Sequence, residues 1–199
     1  MKRVAVYASL LMALGMSAPV LADGFHYYVD VTSELELDEE GKLMGIRQVW
    51  DYAPEITEIM LEDMEVISDE NLTALGDDMM QDLEKLGYFA EFNVDGVSID
   101  RTEIEDYDIL LPSEKQLELQ MFHPLAEPVD IKGKKFTIDM ADPDGTGILK
   151  HANLASVTLP DALKSECKVN LEEKQDPNNI DAYVHGDPVQ LVIIDCTKP

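Results

Sequence analysis

His26 is the first histidine of the chain, and Asp30 follows it at a spacing of four. In an extended strand His26, Tyr28, Asp30 and Thr32 fall on one face, with Phe25, Tyr27, Val29 and Val31 on the other. An imidazole nitrogen beside a carboxylate suits a borderline divalent ion such as zinc or nickel, provided other elements complete the shell. The competing reading is a histidine packed between Tyr27 and Tyr28 at a sheet edge. The other histidines carry weaker signals. His123 in Phe122-His123-Pro124 reads as the cap of a turn at a strand end, and His151 and His185 read as solvated side chains. A second pattern is Asp142-Pro143-Asp144-Gly145-Thr146-Gly147, which matches the opening of a calcium loop with oxygen ligands at positions one, three and five and glycine at six. Its twelfth position is Asn153 where such loops carry a bidentate glutamate, and residues 136–139 before it read as strand. Calcium through Asp142, Asp144 and Thr146 is therefore the alternative cofactor. No nucleophile elbow, zinc-protease helix or glycine-rich phosphate loop occurs, so the chain is expected not to be an enzyme.

The elements that must position these residues follow from periodicity. Residues 25–37 and 43–52 alternate in the strand period around the turn cluster 38–42, which predicts a long hairpin. Pro54 opens a helix whose apolar stripe is Ile56, Ile59, Met60 and Met64. Ser68 has N-cap chemistry for a second helix, with Leu72, Leu75, Met79, Met80, Leu83 and Leu86 on its stripe and Gly87 at its end. The methionines keep the spacing of one buried helix face and read as core. Strands are expected at 88–94 and 97–103 around Asp95-Gly96, at 107–111 and 116–122, and at 135–141, 167–171 and 188–196. Residues 148–159 are ambiguous and 174–187 loop-like. The fold class is α+β: an antiparallel β body with a two-helix insertion after the first hairpin.

The flanks fix the expected compartment. Lys2-Arg3, an apolar run to Leu21 and small residues ending at Ala22 describe a secretory signal peptide over residues 1–22. Residues 23–199 then form a single exported domain with no membrane insertion of its own. A formal net charge of −26 excludes a phosphate-backbone partner and creates a field that concentrates cations. Two cysteines, Cys167 and Cys196, in an exported chain read as one disulfide near the C-terminus.

Several short motifs in order carry a resemblance: residues 24–30 after the leader, the acidic turn 38–43, Trp50 with Tyr52, Gly87-Tyr88-Phe89, residues 117–125 leading to Pro128, Gly133-Lys134-Lys135, Asp142-Pro143, and the late cysteine pair. With these the chain resembles a domain-of-unknown-function family of exported bacterial proteins, described as periplasmic components of an uncharacterised ABC-type transport system and including the ZevA-type zinc-uptake proteins. The resemblance implies a periplasmic zinc- or nickel/cobalt-binding protein that assists an inner-membrane nickel/cobalt-type permease. It places His26, Asp30 and Asp142 among the metal ligands. The chain departs from the pattern at Gly24, which stands where the family's first histidine belongs, and at Ala53-Pro54, which replaces an acidic pair. The alternative function is a metal-free envelope interaction protein.

Overall fold

The computed structural model describes residues 26–143, 145–174 and 189–197. The expected signal peptide, Gly24, Asp144, His185 and most of the loop at 174–187 lie outside the described residues.

The first hairpin forms as the alternation requires. β1 (Tyr27–Leu37) and β2 (Leu43–Tyr52) pair antiparallel, with Val31 opposite Trp50 and Leu35 opposite Ile46. α1 (Pro54–Leu61) starts on its proline, and Thr57 turns inward so that its hydroxyl accepts from the Leu117 amide at 3.1 Å. The expected stripe is only partly buried, because Ile59 is 53% exposed. α2 (Asp69–Lys85) is capped by Ser68, whose Oγ accepts from the Asn71 amide at 3.3 Å. It buries Leu72, Met80 and Leu83, and lays Gly76 against Ile109.

The remaining strands are β3 (Ala90–Val94), β4 (Val97–Ser98), β5 (Tyr107–Ser113), β6 (Gln116–Val129), β7 (Lys135–Met140), β8 (Gly147–Lys150), β9 (Val157–Thr158), β10 (Lys168–Lys174) and β11 (Val189–Asp195), with a short α3 (Asp161–Lys164). One sheet has the order β5-β6-β2-β1-β8, with β9 also on β1, and the other has the order β10-β11-β7-β3-β4. The inner faces meet in one core, where Trp50 stacks on Phe89 and Phe92 meets the edge of the His123 ring.

Four expectations need correction. The strand expected at 97–103 ends at Ser98, leaving β4 two residues long. The β body is not wholly antiparallel, because β8 and β9 both pair parallel to β1. Strand β3 begins two residues later than its alternation suggests. Gly87, Tyr88 and Phe89 all take positive φ, so the chain makes a left-handed turn before it extends. Finally, β6 does not stop at Phe122 but runs through Pro124 to Val129, which puts His123 in mid-strand facing inward.

Candidate functional site

His26 stands immediately before β1, where the Tyr27 amide donates to the Thr146 carbonyl at 3.0 Å and Tyr27 pairs with Gly147 of β8. This parallel pairing lays the 142–147 loop against the start of β1. Asp142, 5% exposed, closes that loop through Oδ2, which accepts from the Thr146 amide at 3.1 Å, the Thr146 hydroxyl at 2.8 Å and the Gly147 amide at 2.6 Å. Glycine lets these groups close on position 147: a Cβ there would sit 2.9 Å from the Tyr27 hydroxyl and 3.2 Å from Asp142 Oδ2 and would displace them. Burial, with Asp142 as a second cause, pushes the Tyr27 hydroxyl up to about 12.

The His26 ring makes a contact of 3.1 Å from Nδ1 to the Gly145 carbonyl. A carbonyl can only accept, so Nδ1 carries a proton, and in the neutral ring the lone pair stands on Nε2. Metal-ligating histidines are commonly oriented in this way, the second nitrogen donating to a backbone carbonyl. His26 and Asp142 thus bear on one loop.

Asp30 keeps the face of His26 but stands four residues on, about 13 Å along the strand, with the half-exposed Tyr28 between them. Its neighbours across the sheet are Asp51 on β2 and Lys150 on β8, and Asp51 in turn faces Glu118 on β6. Asp51 is raised above the usual carboxylate range by burial, then by Glu118 and Asp30, against a hydrogen bond from Gln116 that lowers it. Among the described residues, no three His, Cys, Asp or Glu side chains group closely enough to hold a metal ion. Cys167 and Cys196 are joined in a disulfide that ties the entry of β10 to the exit of β11.

The sequence reading missed a chain of polar side chains through the core. His123, Gln48, Ser33 and His151 are each at most 2% exposed. Arg101 Nη1 lies 3.2 Å from His123 Nδ1, and His123 Nε2 lies 3.0 Å from Gln48 Oε1, which also accepts from Trp50 Nε1 at 3.1 Å. Gln48 Nε2 donates to Ser33 Oγ at 3.2 Å, Ser33 meets His151 Nε2 at 2.9 Å, and His151 Nδ1 meets Gln190 Oε1 at 3.0 Å.

Donor chemistry fixes every direction. A guanidinium only donates, so His123 Nδ1 accepts and its Nε2 bears the proton. His151 Nδ1–H donates to the Gln190 carbonyl oxygen, so in the neutral ring Nε2 accepts and the Ser33 hydroxyl donates to it. Both rings are neutral. Burial, reinforced by Arg101, pushes His123 down to about 3. Burial also lowers His151, against a hydrogen bond with Gln190. The readings of His123 as a turn cap and His151 as solvated are therefore overturned. A faint signal existed: Ser33, Gln48 and His123 all occupy inward positions of alternating strands, where an apolar residue is the norm.

The architecture defines a disulfide-stapled α+β protein with two packed sheets. Its sequence matches the family described as "Protein of unknown function (DUF1007)" over residues 8–186, and the chain belongs to that family. No curated protein matches it.

Proposed function

We propose that the chain is an exported, non-catalytic protein that binds a divalent transition metal, zinc or nickel/cobalt, and hands it to an inner-membrane permease. The observation that carries this reading is the seat of His26: its Nδ1 proton is committed to the Gly145 carbonyl, so the basic nitrogen of the neutral ring is Nε2, a buried atom turned away from solvent. Asp142 shapes the loop that provides the carbonyl, and so acts on the imidazole through the backbone. The net charge of −26 concentrates cations around the molecule, and the disulfide suits an oxidising compartment such as the periplasm. Binding at an imidazole requires the neutral ring, so metal capture competes with protons.

Calcium at the 142–147 loop draws less support, because three donors of the loop itself occupy Asp142 Oδ2. A metal-free envelope interaction protein draws some from Ile59, Val66 and Ile67, exposed at 53%, 63% and 50% around the connection from α1 to α2. Thermal melts separate the three. Stabilisation by micromolar zinc or nickel is the expected result. Stabilisation by millimolar calcium alone would transfer the loop to calcium, and no response to any ion would favour the interaction reading.

A further inference from the structure

A cleft of about 410 Å³ opens beside the left-handed turn, lined among others by Gly87, Phe89, Glu91, Arg101, Asp139 and Lys174. That volume lies in the range of small-ligand sites.

Arg101 is its unusual wall. The guanidinium lies over the faces of Tyr88 and Phe92, 5.4 Å from each ring centroid, and donates to the Gly87 carbonyl at 2.6 Å and to His123. Burial lowers its pKa, and among the described residues no carboxylate pairs with it. In a chain with 41 acidic against 15 basic residues, a partly buried cation answered only by rings, a backbone carbonyl and an imidazole calls for an explanation. The core polar chain ends on this guanidinium, which fixes its direction from behind. The turn under it holds Tyr88 and Phe89 at φ 52°, and backbone strain of this kind concentrates at ligand sites.

The opposite charge stands on the same cleft. Glu91 on β3 faces Asp139 on β7 across the sheet. One Asp139 oxygen pairs with Lys174, while Oδ1 is buried and accepts no hydrogen bond among the described residues.

A simple anion entering here would meet Glu91 and Asp139 as well as the acidic field of the whole molecule. A simple cation would meet Arg101 and Lys174. We propose that the cleft between Arg101 and the Glu91–Asp139 pair binds a small zwitterion, its carboxylate on Arg101 and its primary ammonium on Glu91 and Asp139, the chemistry of a free amino acid or short peptide. The proposal is independent of metal capture at His26.

The test is ligand-observed NMR and calorimetry on the purified protein in chelator-treated buffer, with the common free amino acids and diglycine as probes, and acetate and methylamine as half-ligands. At least one zwitterion is expected to bind with a Kd below about 1 mM, and both half-ligands at least about tenfold more weakly. Arg101→Gln and Glu91→Gln are each expected to weaken binding, the former by about tenfold or more. Glu91 is exposed, so its variant decides the matter if Arg101→Gln does not fold. No zwitterion binding below 1 mM, acetate binding as tightly as any zwitterion, or affinity unchanged by Glu91→Gln would each overturn the proposal.

Discussion

Truncating Gln48 would orphan two buried donors at once, the His123 Nε2 proton and the Trp50 indole N–H, and would remove the donor to Ser33 Oγ. Each unsatisfied group costs about 1–3 kcal/mol, so Gln48→Leu is expected to destabilise the fold by about 3–5 kcal/mol in urea unfolding, well beyond a volume change alone. The same network sets a pH dependence. His123 titrates at about 3 in the fold, below the ordinary histidine value of 6.5, so the unfolded chain takes up the proton first. The stabilisation is complete above pH 6.5 and is lost as the pH falls, by about 1.4 kcal/mol per pH unit for each such histidine. His151 shifts in the same direction. Unfolding free energies between pH 7 and pH 5 should fall with this sign, and less steeply in His123→Gln; a flat profile would contradict the neutral assignment. At this scale the sequence was half legible. The face shared by His26 and Asp30 followed from parity alone. Burial of His123 depended on β6 continuing through Pro124, and its partners are 22 and 75 positions away in sequence, beyond any local pattern.

The elements that could be read were those whose partner is adjacent in sequence. The first hairpin, the Ser68 cap and the Asp95-Gly96 turn all satisfy themselves locally. What could not be read was the parallel joining of β8 and β9 to β1, since the register there is set by contacts more than a hundred residues apart. That joining is also what brings the 142–147 loop to His26. The turn at residues 87–89 was hidden because left-handed geometry at Tyr88 and Phe89 runs against the preference of their types. Gly45 gives an element-scale test. A Cβ there would lie 2.2 Å from the Phe122 ring and 2.7 Å from the His123 carbonyl, in the sheet's central pairing. Gly45→Ala is expected to cost about 1–3 kcal/mol through displacement of β6 from β2, whereas Ser68→Ala, an exposed cap, costs about 1 kcal/mol. Denaturation midpoints of the two variants check the order.

For the molecule as a whole, the cysteines tie residues 29 positions apart and fasten the exit of β11, which lies between β10 and β7 in the second sheet, to the entry of β10. The chain-entropy estimate for such a loop is about 3–4 kcal/mol, so replacing both cysteines by serine should lower stability by roughly that amount in chemical denaturation under non-reducing conditions. The central claim remains the capture of a transition ion at His26, beside a loop shaped by Asp142. Calorimetric titration of zinc and nickel into tag-free protein at neutral pH tests it most directly. The account predicts a Kd below about 10 µM, equivalent to roughly 7 kcal/mol, with the heat abolished by His26→Ala and retained in Ser68→Ala. Absence of binding at that level, or an isotherm that His26→Ala leaves unchanged, would contradict it.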